Sequence, residues 1–311
     1  MLVKTYCAAV TALEATTITI EVNLARGTMF HLSGLADTAV KESYDRIRAA
    51  IENIGFKSPT ADLTINLSPA DIRKEGCGYD LPLAIGILAA YGKVSEDMLS
   101  EYMMIGELGL DGKLKPVSGA LSVAIRARKE KFKGLIVPKE NVREAAVVNQ
   151  LDVLGMDNLA DVIGFLNGST EFEPTFVDTR KEFYEQQYAY DLDFADVRGQ
   201  ESVKRALEVA AAGSHNVILI GPPGSGKSMM AKRLPSILPP LSLAESLETT
   251  QIHSVAGILP SGTSLISQRP FRSPHHTISQ VAMTGGTQKA QPGEVSLAHN
   301  GVLFCDELPE F

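Results

Sequence analysis

One stretch, residues 216–234 with the sequence NVILIGPPGSGKSMMAKRL, constrains the fold of this chain most strongly. Residues 217–220 are apolar and predict a strand, and the residues after the glycine-rich stretch predict a helix. Between them, residues 221–228 match G-x-x-x-x-G-K-[ST], the pattern of a loop that cradles phosphates. Strand, phosphate loop and helix in this order form a unit of parallel α/β folds. This part of the chain is therefore predicted to be an α/β domain that binds a nucleotide.

Each residue type in this loop has a chemical reason. Glycines let backbone N–H groups converge on phosphate oxygens, and the N-terminus of the following helix adds the positive end of its dipole. Lys227 is expected to reach the β- and γ-phosphates, and the Ser228 hydroxyl to ligate Mg²⁺. The predicted cofactors are ATP and Mg²⁺. The predicted cofactor-binding residues of the loop are Gly221, Pro222, Pro223, Gly224, Ser225, Gly226, Lys227 and Ser228.

Two adjacent acidic residues follow an apolar run near the end of the sequence. Residues 301–305, GVLFC, predict a buried parallel strand, and Asp306 and Glu307 stand at its carboxyl end. Open α/β sheets hold their ligands at that edge. We expect Asp306 to hold Mg²⁺ through water and Glu307 to polarise the attacking water as the catalytic residue. The alternative is a solvated acidic pair after a core strand.

Composition and charge exclude several classes of protein. The net charge is −8 and the sequence has no basic tail, so nucleic-acid contact would need a local patch. The cysteines Cys7, Cys77 and Cys305 form no C-x-x-C pair, which disfavours disulfides and structural zinc and favours a reducing, cytoplasmic location. No export signal or membrane span is evident, and LPLAIGILAAYG predicts a buried helix.

The first half of the chain mixes strand and helix patterns. Strands are predicted for the segments TITIEVNL and DLTINLSP. A strand, a turn and a helix are predicted for GLIVPKENVREAAVV. A helix that ends at Gly55 is predicted for DTAVKESYDRIRAAIENIGF. The helix prediction depends on apolar residues at helical spacing: Val40, Tyr44, Ile47, Ile51 and Ile54. Residues 1–168 are thus predicted to form an α+β domain. Residues 169–190, polar and aperiodic, are the predicted linker to the α/β domain of residues 191–311.

A basic segment, QRPFRSPHHTIS, offers further candidate residues. Arg269, Arg272, His275 and His276 could form a basic patch near the nucleotide or a pore, or could make structural hydrogen bonds, which is the favoured interpretation. Metal binding by the histidine pair is disfavoured, because adjacent side chains on a strand point to opposite faces. Lys289 is a second candidate for contact with a polyanion.

Longer motifs resemble a known family. FADVRGQESVKRALEVAAAGSHNVILIGPPGSGKS resembles the opening of an AAA+ module, in which a segment such as residues 197–200, Val-Arg-Gly-Gln, lies beside the adenine. Three further segments resemble the magnesium-chelatase-like AAA+ family, most closely its competence-protein (ComM, or YifB) branch. They are HSVAGILP, RPFRSPHHTISQVAMTGG and PGEVSLAHNGVLFCDELPEF. The resemblance implies an ATPase subunit of a hexameric ring.

The first domain resembles the Lon protease domain, which has a ribosomal-S5-like α+β fold, over NLSPADIRKEGCGYDLPLAIGILAA and IGELGLDGKLKPVSGALSVAIRARKEKFKGLIVPKEN. The resemblance places Gly78 at the position of the Lon serine and Leu121 at that of its lysine. Neither can act as nucleophile or base, so the chain is expected not to be a protease. Cys77, with Lys74 as the base nearest in sequence, is a disfavoured alternative nucleophile.

The family resemblance implies an AAA+ motor that processes branched or single-stranded DNA, without contact to a membrane. The alternatives are a chaperone-like ATPase that remodels proteins, including chelatase assemblies, and an inactive truncated product. AAA+ sites are completed by a sensor residue, an arginine from a neighbouring subunit and a helical lid, which normally follow the acidic strand. These 311 residues are therefore expected to bind nucleotide but to hydrolyse it negligibly.

Overall fold

A computed structural model describes residues 2–25, 27, 29–57, 62–286 and 290–311 of the chain. The chain forms two compact units. The first comprises Met1–Val177 and Gly257–Ser264, and the second comprises Asp178–Ala256 and Leu265–Phe311. The predicted domain identities stay predictions.

The first unit is built around one large sheet with helices packed on it. Its elements are β1 (Leu2–Thr11), β2 (Glu14–Ala25), β3 (Phe30–Ser33), α1 (Thr38–Asn53), β4 (Asp62–Ser68), α2 (Asp80–Ala90), β5 (Tyr102–Met104), β6 (Glu107–Leu108), β7 (Leu114–Lys115), α3 (Ala120–Lys129), β8 (Gly134–Pro138), a 3₁₀ turn (Lys139–Asn141), α4 (Val142–Ala145), β9 (Asp152–Met156) and α5 (Leu159–Leu166).

The sheet has seven strands in the order β3-β4-β2-β1-β5-β8-β9. The pairs β1/β2 and β2/β4 are antiparallel, whereas β3/β4, β1/β5, β5/β8 and β8/β9 are parallel. Helices α2 and α3 pack against β1 and β2. This mixed sheet agrees with the predicted α+β class, because antiparallel hairpins and parallel crossovers share one core.

Local sequence patterns explain the elements of this unit. Helix α1 begins where the Asp37 side chain accepts a hydrogen bond from Val40 N, and the chain leaves it at Gly55, which has a left-handed φ of 92°. Every residue of α2 is buried, as predicted for that apolar run. Within the described residues, no helix is long and apolar enough to cross a membrane.

A buried ion pair ties α1 to the start of α2. Asp80 is fully buried and accepts hydrogen bonds from Arg46 Nε and Nη2, both at 3.0 Å, and from Leu108 N at 3.2 Å. Burial raises the pKa of Asp80, and the hydrogen bonds from Arg46 oppose that shift. The pair fixes where α2 begins relative to α1, because an unpaired buried carboxylate would be costly.

The second unit is richer in helices and turns. Its elements are α6 (Thr179–Gln186), a 3₁₀ turn (Phe194–Asp196), α7 (Glu201–Ala212), α8 (Lys227–Arg233), a 3₁₀ turn (Leu234–Ile237), α9 (Leu243–Val255), β10 (Phe271–Arg272), α10 (Gln280–Thr284), β11 (Gly285–Gly286), β12 (Gln291–Pro292), α11 (Glu294–Leu297), β13 (Val302–Leu303) and a 3₁₀ turn (Leu308–Glu310).

A small apolar core holds α7, α8 and the phosphate-loop region together. Its buried residues are Phe194, Val197, Leu207 and Met230, and Leu219 packs against them from the segment before the loop.

The stretch predicted to be an aperiodic linker, residues 169–190, contains α6, which begins at the capping side chain of Asp178 and buries Phe183. One N-cap and one buried aromatic are enough for this short helix, although it lacks an apolar stripe.

Both predicted strands beside the nucleotide loop differ from expectation. Residues 217–220 form no strand, and the side chains of Ile218 and Ile220 are 70% and 88% exposed. The apolar run 301–305 forms only the two-residue strand β13, which is half-buried and pairs in parallel with β10. A strand needs a neighbour for its backbone N–H and C=O groups, and none of the described residues forms a β ladder with 217–220.

Candidate functional site

The loop of residues 221–228 has the backbone that its glycines predict. Gly224 and Gly226 have φ values of 77° and 87°, in the left-handed region that other residues rarely adopt. A Cβ on Gly221 would lie 3.0 Å from Ser225 Oγ, so only glycine fits there without movement. Helix α8 begins at Lys227, directly after the loop. The backbone therefore turns around a small cradle at a helix N-terminus.

One polar atom inside this cradle has no partner. The Ser225 hydroxyl oxygen is buried and makes no hydrogen bond to any described residue. Buried hydroxyl groups in proteins almost always have a partner, so an orphaned one marks a place where a polar group fits. A phosphate oxygen is such a group, and the cradle therefore suits the predicted ligand.

The lysine of the loop lies over the turn. Lys227 Nζ donates hydrogen bonds to the carbonyl oxygens of Gly221 at 2.8 Å and Pro222 at 3.0 Å. Both acceptors are neutral, and the contacts are exposed to solvent. A phosphate oxygen would be a stronger acceptor for this ammonium than either carbonyl, because charge-assisted hydrogen bonds are about twice as strong as neutral ones.

The two predicted magnesium ligands meet in the structure. Ser228 Oγ donates to Asp306 Oδ2 at 3.0 Å, although 78 residues separate them in the chain. Ser228 is placed by the first turn of α8 and Asp306 by the end of β13. A hydroxyl and a carboxylate at this distance present the oxygen ligands that Mg²⁺ prefers.

Glu307, the predicted catalytic residue, has an unusual backbone and a partner that the sequence did not suggest. Its φ and ψ are 57° and 48°, a left-handed conformation that is uncommon for a residue with a side chain. Its Oε2 atom lies 3.2 Å from His276 Nδ1. The pairing was missed because it joins two loops 31 positions apart, and no local pattern indicates such a contact.

The segment expected beside the adenine lies against the loop. Val197 is buried in the small core, and the Gln200 side-chain nitrogen lies 3.5 Å from the Ser225 carbonyl oxygen. Arg233 in α8 pairs with Asp196 at 3.2 Å, which ties this segment to the helix after the loop. Arg198 and Gly199 are exposed.

Arg269 and Arg272 do not form a free basic patch. Arg269 donates to the backbone carbonyls of Pro239, Pro240 and Asn300. Arg272 makes two hydrogen bonds of 2.6 Å to the carboxylate of Glu294, and they hold the pKa of Glu294 below its usual range. Both guanidinium groups thus make the structural hydrogen bonds that the favoured interpretation expects of them.

The histidine pair differs from the geometry that was assumed for it. Residues 273–279 form no strand, and the rings of His275 and His276 lie side by side with centroids 4.1 Å apart. The premise that they point to opposite faces is wrong because it requires an extended strand. The described residues nevertheless contain no group of three or more potential metal ligands. Lys289 lies outside the described residues.

In the first unit, the positions matched to the Lon serine and lysine carry no reactive group. Leu121 is fully buried in α3, and a Cβ on Gly78 would meet only Val117, at 3.8 Å. Burial raises the pKa of the Cys77 thiol, which disfavours the thiolate. Lys74 is also fully buried; burial lowers the pKa of its ammonium group, which donates to the Pro69 carbonyl.

Comparison with known proteins places both units in one family. The family model for magnesium chelatase, subunit ChlI, matches residues 193–311, and a second model, subunit ChlI of Mg-chelatase, matches residues 20–141. The chain is 47% identical over 302 residues to the uncharacterized protein YifB of Escherichia coli strain K12. The aligned residues make up 96% of this chain and 58% of YifB. The chain belongs to the magnesium-chelatase-like family that includes YifB and ComM.

Other relatives extend this result. The competence protein ComM of Haemophilus influenzae is 42% identical over 309 residues, which is 98% of this chain and 60% of ComM. The chain thus spans about three-fifths of the length of the curated relatives that it matches. Lon protease 2 of Bacillus subtilis is 27% identical over 147 residues, which is 46% of this chain and 26% of that protease.

Proposed function

We propose that this member of the magnesium-chelatase-like family is an AAA+ ATPase that binds MgATP at residues 221–228, Asp306 and Glu307. The observation that carries the proposal is the 3.0 Å contact between Ser228 Oγ and Asp306 Oδ2. A glycine-rich cradle alone could hold any anion. A hydroxyl and a carboxylate brought together beside that cradle add a site for the metal ion that accompanies a nucleoside triphosphate.

Each residue of the site then has a role. Bound MgATP supplies a phosphoryl group whose charge the metal ion partly neutralises. The loop backbone and the Ser225 hydroxyl bind phosphate oxygens, and Lys227 exchanges its carbonyl acceptors for the β- and γ-phosphates. Ser228 and Asp306 would hold the metal ion, Asp306 through water. Glu307 accepts a hydrogen bond from the attacking water and so orients it.

We further propose that the whole protein is a cytoplasmic motor subunit that works as a hexameric ring on branched or single-stranded DNA. The family assignment supports the ring, and the name of one relative, competence protein ComM, supports a role in handling DNA. Arg269 and Arg272 are bound to other protein groups, so the DNA contact is proposed for other surfaces.

The DNA proposal predicts a coupling between DNA and nucleotide. Because coupling between two ligands is reciprocal, forked DNA should tighten the binding of a slowly hydrolysed ATP analogue by about fivefold or more. Titration calorimetry with and without a DNA fork measures the effect, with reduced casein as the alternative ligand. Tightening by casein and not by the fork would contradict the DNA role and favour a chaperone-like remodelling ATPase.

For the first domain, residues 1–168, we propose a Lon-like, ribosomal-S5-like scaffold without peptidase activity, joined to the ATPase domain through residues 169–190. Three observations support this proposal. Leu121 is buried, Gly78 has no side chain at the position of the Lon serine, and burial raises the pKa of the Cys77 thiol.

The scaffold role predicts that the chain does not cleave casein or fluorogenic peptides above the background of buffer. The Cys77→Ser variant should behave like the parent chain, since neither a thiol of raised pKa nor a hydroxyl without a base is an effective nucleophile. Release of fluorescent product over several hours is the measurement. Cleavage by the parent chain that disappears in Cys77→Ser would show that the domain is a cysteine peptidase.

A further inference from the structure

Among the described residues, His276 makes the one side-chain ion-pair contact with the Glu307 carboxylate. The two side chains are 28% and 68% exposed, and Nδ1 and Oε2 are 3.2 Å apart. The neighbouring Asp306 carboxylate is held by Ser228, whereas Glu307 meets no residue of α8 among the described contacts. Its mostly exposed side chain would otherwise rotate freely among its rotamers.

Hydrogen-bond chemistry fixes which ring nitrogen of each histidine carries a proton. A lone pair on Nδ1 would repel an ionised carboxylate oxygen 3.2 Å away, so the proton of a neutral His276 ring is expected on Nδ1. At the adjacent His275, Nδ1 accepts from the backbone N–H of Thr277 at 3.3 Å, and in the neutral ring its proton is therefore on Nε2. The two neighbouring rings thus carry their protons on different nitrogens.

The ring of His276 is itself held in place. It packs on the His275 ring with 4.1 Å between centroids and an angle of 36° between planes. His275 is fixed in turn by its contacts with Thr277, whose Oγ1 lies 2.9 Å from His275 Nδ1. A donor held this way can fix the direction of the carboxylate that it contacts.

We propose that His276 is a positioning residue that holds the Glu307 carboxylate in the orientation needed to direct the attacking water. The inference rests on the proposed function, because it gives Glu307 a water to orient. The left-handed backbone of Glu307 makes a positioning partner more important, since the turn alone leaves its side chain exposed. Loss of the donor should slow phosphoryl transfer and leave nucleotide affinity unchanged, because His276 contacts none of the residues assigned to phosphate binding.

The first measurement detects the contact itself. Long-range ¹H–¹⁵N spectra of the side chains report which ring nitrogen carries the proton in each of the six histidines. The signal that disappears in His276→Asn belongs to His276. We expect this ring to be protonated at Nδ1 in the parent chain and to shift towards the Nε2–H form in Glu307→Ala. A ring that is in the Nε2–H form in both proteins would overturn the proposal.

The second measurement is the cleavage step. Radiolabelled ATP is mixed with excess protein and followed through a single turnover, which separates cleavage from product release. Relative to the parent chain, Glu307→Gln should be slower by about 100-fold or more and His276→Ala by about tenfold or more. His276→Asn retains an N–H donor near the position of Nδ1 and should recover most of the rate.

A double variant separates positioning from a general structural effect. In the Glu307→Gln background, His276→Ala should cause no further loss, because the residue that it positions is already inactive. MgATP affinity by titration calorimetry should be unchanged in His276→Ala and His276→Asn. Equal cleavage rates for His276→Ala and the parent chain, or a faster rate for His276→Ala, would overturn the proposal. Failure of the parent chain to bind MgATP would instead refute the proposed function.

Discussion

The Lys227→Ala variant is expected to bind MgATP at least about 100-fold more weakly than the parent chain. Lys227 is the one side-chain cation of the phosphate loop, and its Nζ already lies over the loop at 2.8 Å and 3.0 Å from two carbonyls. Hydrogen bonds to charged groups contribute about 1.5–3 kcal/mol each. Losing two such contacts to phosphate oxygens removes about 3 kcal/mol or more, which corresponds to at least about 100-fold in affinity.

Lys232→Ala is the matched control for this experiment. Lys232 belongs to the same helix, α8, and its removal costs the same single positive charge, but it is exposed and lies in the last turn of the helix, away from the loop in sequence. Titration calorimetry on the three proteins, each checked for parent-like circular dichroism, gives the affinities. Equal weakening by both substitutions would mean that only net charge matters, and unchanged affinity in Lys227→Ala would refute the assignment of the loop.

The elements that the sequence predicted correctly depend on short-range patterns. Apolar residues that alternate along the sequence predicted strands β2 and β4, and alternate residues of these strands are largely buried. Apolar residues at helical spacing between Asp37 and Gly55 predicted α1. The approach of Ser228 to Asp306 was predictable, because each residue follows a recognisable motif. Each of these motifs spans only a few residues, so it can be recognised without knowledge of the rest of the fold.

Strand predictions near the site failed because a strand depends on its neighbours. Residues 217–220 alternate in exposure, with Leu219 packed against the small core and Ile218 and Ile220 mostly exposed. Their apolar character predicts a buried strand, yet no described residue forms a β ladder with them. Hydrophobic pattern reports what a segment can bury, whereas the hydrogen-bonding partner is a property of the whole fold.

Charged residues were hard to interpret from sequence for a related reason. Arg272 has the same residue type as an arginine in a nucleic-acid patch, and its partner Glu294 lies 22 positions away with no local signature. His276 and Glu307 are likewise joined only by tertiary structure. The charge of a side chain shows which kinds of group it can bind. Which of those groups lies within reach depends on the tertiary structure.

Ser228 and Asp306 are proposed to form a magnesium site beside the phosphate loop. Asp306→Asn keeps the size and shape of the side chain and one oxygen acceptor for Ser228, but it removes the negative charge that favours the metal ion. In the parent chain, Mg²⁺ should therefore raise the affinity for ATP by about 10-fold to 100-fold, the equivalent of one charge-assisted contact. In Asp306→Asn, most of that gain should be lost, and affinity for ATP in the presence of EDTA should not fall.

Glu310→Gln is the control for charge, because it neutralises another exposed carboxylate four positions further along and should keep the full effect of Mg²⁺. The deciding measurement is the ratio of ATP dissociation constants without and with Mg²⁺, determined by titration calorimetry for the parent chain and both variants. A ratio that falls towards one in Asp306→Asn alone is the predicted result. A ratio in Asp306→Asn equal to that of the parent chain would contradict the magnesium site.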